Sequence, residues 1–140
     1  MKKIILLLLV TLSLTSFTSP EDTSFTIVGR WKGVQNKSVG YLVFQEDGYA
    51  FLEEKNGKKI GGKNFIENGK KATITYKFQD MGKLMHIDII VTIVGEKKNT
   101  SLLGIAQKIN NDSFKLQFGF DNVRPKTFNK METVVFNRVK

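Results

Sequence analysis

Among 140 residues the chain has no cysteine, two prolines, one tryptophan and one histidine. Without cysteine there is neither a disulfide framework nor the lipid-modified cysteine that tethers bacterial lipoproteins, so the chain must hold itself together by its core. A single histidine, His86, cannot build a multi-histidine metal site. Long apolar runs are scarce as well. The only one opens the chain, in "MKKIILLLLVTLSLTSFTSPED", and it is shorter than the ~20 residues a membrane-spanning helix needs.

That opening stretch, with Lys2 and Lys3 ahead of the apolar residues 4–14, reads as a secretory signal peptide. Cleavage is expected after Thr18, since Ser16 is small and Pro20 disfavours cutting after Ser19. An uncleaved anchor is the alternative. The expectation is export to the periplasm or beyond, with residues 1–18 removed and residues 19–140 forming one domain. Roughly 120 residues suffice for one hydrophobic interior and are too few for two.

Acidic side chains are also in short supply, with 13 Asp and Glu against 22 Lys and Arg. Two of those lysines belong to the leader, which leaves 20 basic side chains on the remainder. Such an excess suits anionic surfaces, lipids or polysaccharides. It also serves solubility and protects strand edges. Nucleic acid is not an expected partner, because the basic residues fall mostly in doublets at turns and no helix carries a basic stripe.

No helical periodicity of useful length follows the leader, whereas alternation with period two recurs. In "KATITYKFQD", Ala72, Ile74, Tyr76 and Phe78 share one face while Thr73, Thr75, Lys77 and Gln79 share the other. "LMHIDIIVTIV" sets Met85, Ile87, Ile89, Val91 and Ile93 on its core face, and "SFKLQFGF" does the same with Phe114, Leu116, Phe118 and Phe120. Turn signals separate these runs: "EDG", two "NG" pairs, "QDMGK", "EKKN" and "NND".

The pattern predicts nine extended segments, near 26–34, 39–46, 49–55, 58–66, 70–79, 84–95, 100–109, 113–120 and 132–139. In the fourth, Gly61 and Gly62 mark a bulge or sharp bend. A sequential antiparallel meander avoids exposed edges by closing, so the expected fold is an all-β, antiparallel up-and-down β-barrel of about eight to nine strands. A two-sheet sandwich is the alternative. The longest connection, residues 121–131, is expected to cover part of the barrel or to carry function.

The Gly29-Arg30-Trp31 start, the meander, "HIDIIVTIV", "LLGIAQKINNDSFKLQF", "RPKTF" and the closing "VVFNRVK" together resemble lipocalin-like domains of secreted bacterial proteins. In that family the tryptophan of G-x-W closes one barrel end and an arginine from the last strand packs across it. The resemblance therefore implies a closure made by Gly29, Trp31 and Arg138. It implies a noncatalytic protein binding a small hydrophobic ligand, without cofactor or metal. The chain departs from the larger family members in lacking cysteines and the helix after the barrel, so their ligand chemistry is not carried over.

No catalytic residue is nominated. His86 and Asp88, at i and i+2 of one strand, share a face, yet no nucleophile accompanies them; a hydrogen-bonded pair on a solvated or partly covered strand face is the expectation. The aromatic residues carry more information. Eleven phenylalanines, one of them Phe17 in the leader, and three tyrosines can fill a small barrel or line a cavity. The choice falls on Phe44, Phe51, Tyr76, Phe78, Phe114, Phe118 and Phe120. Strand parity over nine segments gathers the turns at 47–48, 67–70, 95–99 and 121–131 at one end, with Lys70, Lys71, Lys97, Lys98, Arg124, Lys126 and Lys130. Those cations are either solubilising groups or a surface for an anionic envelope component or a protein partner.

Overall fold

An extended chain sends alternate side chains to opposite faces, so segments with an apolar residue at every second position form sheets with one dry side. The computed structural model describes residues 24–140, in which ten strands form. They are β1 (Gly29–Gln35), β2 (Ser38–Phe44), β3 (Ala50–Glu54), β4 (Lys59–Gly61), β5 (Phe65–Glu67), β6 (Lys70–Asp80), β7 (Leu84–Ile93), β8 (Thr100–Asn110), β9 (Ser113–Gly119) and β10 (Val134–Arg138). The signal peptide and its cleavage site lie outside the described residues. Among those residues, no helix is long and apolar enough to cross a membrane.

The strands form one sheet in the order β4-β3-β2-β1-β10-β9-β8-β7-β6-β5, with every neighbouring pair antiparallel. The sheet curls until its edges nearly meet. Tyr49 bridges Thr75, Tyr76 N–H donates to Gly48 O at 3.0 Å, and Ile74 N–H donates to Gly62 O at 3.0 Å. The result is the all-β up-and-down barrel expected from the alternation, with ten strands where eight or nine were counted.

The extra strand comes from the glycine pair. Gly61 and Gly62 have φ of 123° and 74°, in the region that favours glycine, and the expected segment 58–66 breaks there into β4 and β5. Gly62 N–H donates to Ala50 O on β3 while Gly62 O accepts from Ile74 on β6. One residue thus hands the chain from one sheet edge to the other. A side chain is excluded, since a Cβ on Gly61 would stand 2.5 Å from Ala50 O and one on Gly62 2.4 Å from the Phe51 ring.

Inward faces make the core: Trp31, Phe44, Ile74, Met85, Ile87, Ala106, Phe114 and Leu116 are all buried. Trp31 lies at the end where β1 begins and β10 finishes, and it pairs with Arg138 across that seam. Its indole N–H donates to Ile27 O at 2.8 Å, and Arg138 Cζ lies 4.1 Å from its ring centroid. The guanidinium also donates to Val28 O, Thr26 O, Asn111 O and the Asp112 carboxylate. Gly29, with φ of 138°, admits this approach, because a Cβ there would stand 2.8 Å from Arg138 Nη1. Below the indole, Phe25 packs against Trp31, Phe78 and Phe114, with ring centroids 5.9, 6.1 and 6.2 Å away. Residues 24–28 therefore cross the barrel floor and seal it.

Replacing Arg138 by Leu removes charge-assisted hydrogen bonds and a cation–π contact together, and is expected to cost about 2–4 kcal/mol in urea unfolding. The emission of Trp31, the sole tryptophan, should move to the red in the folded state. An unchanged urea midpoint would show that the contact does not hold the seam.

Candidate functional site

Opposite the sealed floor, the two strands beside the seam carry glycine where an inward side chain would be. Gly33 on β1 and Gly40 on β2 are direct cross-strand partners on the inward face. The Phe136 ring covers Gly33, at 2.6 Å from where a Cβ would sit. Nothing covers Gly40, whose nearest neighbour to a Cβ would be Glu53 O at 3.9 Å. This missing layer opens a cavity of about 410 Å³. Leu42, Leu52, Ile60, Val134 and Phe136 form its apolar wall, and Gln35, Ser38 and Glu54 stand at its mouth. A smaller recess of about 220 Å³ continues along Leu116, Phe118 and Val134.

The cavity wall is braced from outside. On the outward face of β1–β3, Arg30 makes a two-point contact with Glu53, at 3.0 and 3.3 Å, and its guanidinium lies 3.8 Å from the Tyr41 centroid. The hydrogen bonds from Arg30 hold the Glu53 carboxyl below the usual carboxylate range, and the same partnership raises Arg30.

The aromatic candidates divide by height in the barrel. Phe44 and Phe114 are fully buried in the lower half, where solid packing holds. Tyr76 and Phe78 pack against that core, and Phe118 lies partly buried near the recess. The Tyr76 hydroxyl donates to Gln45 O at 2.7 Å; burial raises its pKa, with Asp47 and Glu46 adding to the effect. One position differs from the sequence expectation. Phe51 pairs with Val43 on the outward face, since Leu42 and Ala50 occupy the inward positions, and there it covers the Gly62 bend. Phe120 falls just after β9 and, although 69% exposed, lines the recess beside Phe118.

The long connection folds back over the outer face of β7–β9. Arg124 grips Asp88 at 2.7 and 2.9 Å and donates to Gly104 O at 2.7 Å. Gln117, buried although it points outward, accepts from Asn129 N–H and the Thr133 hydroxyl and donates to Glu132. Asp88 is thereby committed to Arg124, while His86 shares the outward face beside Gln79 and Ile105. Among the described residues no group of three or more His, Cys, Asp or Glu is placed to hold a metal ion.

The basic candidates need one correction of topology. Because the fourth expected segment is two strands, the turn at 47–48 belongs to the sealed end, with 81–83 and 111–112. The turns at 36–37 and 55–58 join 68–69, 94–99 and the long connection at the open end. Gln35 confirms this arrangement by donating to Met131 O at 3.3 Å. Lys70, Lys71, Lys97 and Lys98 flank the open-end turns, with Lys70 paired to Glu96 at 3.3 Å. Lys126 and Lys130 are exposed on the connection, whereas Arg124 is turned onto Asp88. Phe25, Gly40, Gln117 and the Asp88–Arg124 pair escaped the sequence reading. Gly40 alone left a signal, an inward-parity glycine in "SVGYLVF", but its meaning needs the register that sets it opposite Gly33.

Comparison with protein-family models, curated proteins and solved structures finds no match for this chain.

Since the folded-state pKa of Glu53 is lowered, its contribution is present above about pH 4.5, the ordinary glutamate value, and is lost as pH falls through the lowered value. Glu53→Gln should therefore flatten the acid limb of a Tm-against-pH curve and leave its shape near neutrality unchanged. An acid limb identical to that of the parent would exclude this role.

Proposed function

We propose that the chain is an exported, noncatalytic, lipocalin-like barrel that binds a small apolar or amphipathic molecule at its open end. The supporting observation is the uncovered Gly40 beside an apolar cavity of about 410 Å³, a volume within the range of small-molecule sites. An apolar body would lie against Leu42, Leu52, Ile60 and Phe136, and a polar head would remain among Gln35, Ser38 and Glu54 at the mouth. Burial of apolar surface supplies the affinity, and the floor sealed by Phe25 and Trp31 limits how deep the ligand reaches.

A second reading is a cell-envelope interaction module whose basic surface meets an anionic polymer or a protein. It is supported by the lysine doublets at Lys70–Lys71 and Lys97–Lys98, and salt-dependent retention on envelope polymers separates it from the first.

Gly40→Leu tests the first reading, because the new side chain has room and occupies the space the ligand would take. Titration with an anilinonaphthalene sulfonate probe, displaced by a long-chain fatty acid, should show binding weakened at least about tenfold, equivalent to ~1.4 kcal/mol. Thermal stability should be retained. Saturable binding of equal strength in this variant would place the ligand elsewhere and sink the proposal.

A further inference from the structure

The two ends of the barrel differ in charge and in exposed apolar surface, and the differences coincide. In the open-end connections, with one strand residue on either side and Arg124 set aside because Asp88 neutralises it, nine basic side chains stand against five acidic ones. The same count at the sealed end, with both described chain ends included, gives four against four. The open end also displays large apolar side chains at its tips. Ile66, Val94, Phe120, Val123 and Met131 are 64%, 64%, 69%, 64% and 81% exposed, whereas Met81, Leu84 and Ile109 near the sealed end reach 45%, 41% and 55%.

Lysines alone would fit any polyanion. Lysines interleaved with exposed Phe, Val, Ile and Met fit a narrower class, because apolar tips left in water gain free energy only where an apolar phase meets them. An anionic bilayer offers both, with headgroups for the ammonium groups and an acyl boundary for the apolar tips. The geometry suits it. Ile66 lies opposite Lys71 across β5 and β6, Val94 is three residues from Lys97, and Met131 adjoins Lys130, so three of the five apolar tips have a lysine close by in strand pairing or sequence. All these groups stand in or beside the connections of the open end and none in those of the sealed end.

We propose that the open end docks on the surface of a membrane containing anionic phospholipid, mouth toward the bilayer. The docking follows from the charge and exposed apolar groups of that end. What it serves, transfer of an amphiphile between bilayer and cavity, rests on the ligand reading above.

The test is cosedimentation of the exported form with vesicles of phosphatidylcholine, with and without phosphatidylglycerol. Binding to the anionic vesicles, weakened by salt, is expected, with little to the neutral ones. The double variant Lys97→Glu and Lys98→Glu should weaken it by roughly tenfold or more, since each basic residue near the surface contributes to attraction. Phe120→Ser with Val94→Ser should weaken it severalfold while preserving the salt dependence. Unchanged Trp31 emission would show that these exposed substitutions leave the fold intact. Loss on charge reversal with no effect of the serine variants would overturn membrane docking in favour of a soluble anionic polymer. Equal binding to neutral and anionic vesicles, or none to either, would also overturn it. Gly40→Leu keeps the readouts apart: it should bind vesicles like the parent while losing the probe. Absent vesicle binding with intact probe binding defeats only this inference, and the reverse result defeats only the ligand reading.

Discussion

The guanidinium of Arg138 lying on the indole of Trp31 is the contact on which the rest of the barrel depends. It joins the last strand to the first, and its hydrogen bond to Val28 O spans 110 positions of sequence. Ordering so long a loop carries a large entropic cost, and local contacts cannot offset it. Here the cost is met by a fully buried ring and by charge-assisted hydrogen bonds that also reach Thr26, Asn111 and Asp112. Because those bonds fix residues 24–28 across the floor, Phe25 becomes part of the core and one end is dry.

Sealing one end places the burden of closure on the opposite side of the sheet, where no strand pair completes the ring. The glycine pair solves this differently from a ladder. At Gly62 the chain leaves β3 for β6, a path that needs positive φ and no side chain between Ala50 and the Phe51 ring. β4 and β5 are consequently short, at three residues each, which limits the unpaired backbone they expose. The open end is then the natural place for a cavity. Core side chains fill the lower barrel, and the Gly33–Gly40 pair removes one layer above them.

Much of the fold was legible because its strands are half-buried. In β6 and β7 the alternation of "KATITYKFQD" and "LMHIDIIVTIV" assigned inward and outward faces that match the register. The rule weakened where its premise did. At Phe51 the number of residues in the turn before β3 decides the parity. On the outer face of β7–β9 the alternation does not reveal that the long connection covers Gln117 and Asp88. That cover is set by Arg124 and Asn129, residues whose partners lie far away in sequence and carry no periodic signal.

The sequence by itself determined the all-β class, the meander and most inward faces, because period-two alternation and turn chemistry act between near neighbours. It also marked Gly61 and Gly62 as a break in regular pairing. Only the tertiary structure decided that this break makes a tenth strand, and so which turns share an end. It alone set Gly40 opposite Gly33, leaving an unfilled layer whose volume depends on where Phe136 from the last strand comes to rest. Such features follow from register between distant strands, which arises when the core packs and the seam closes.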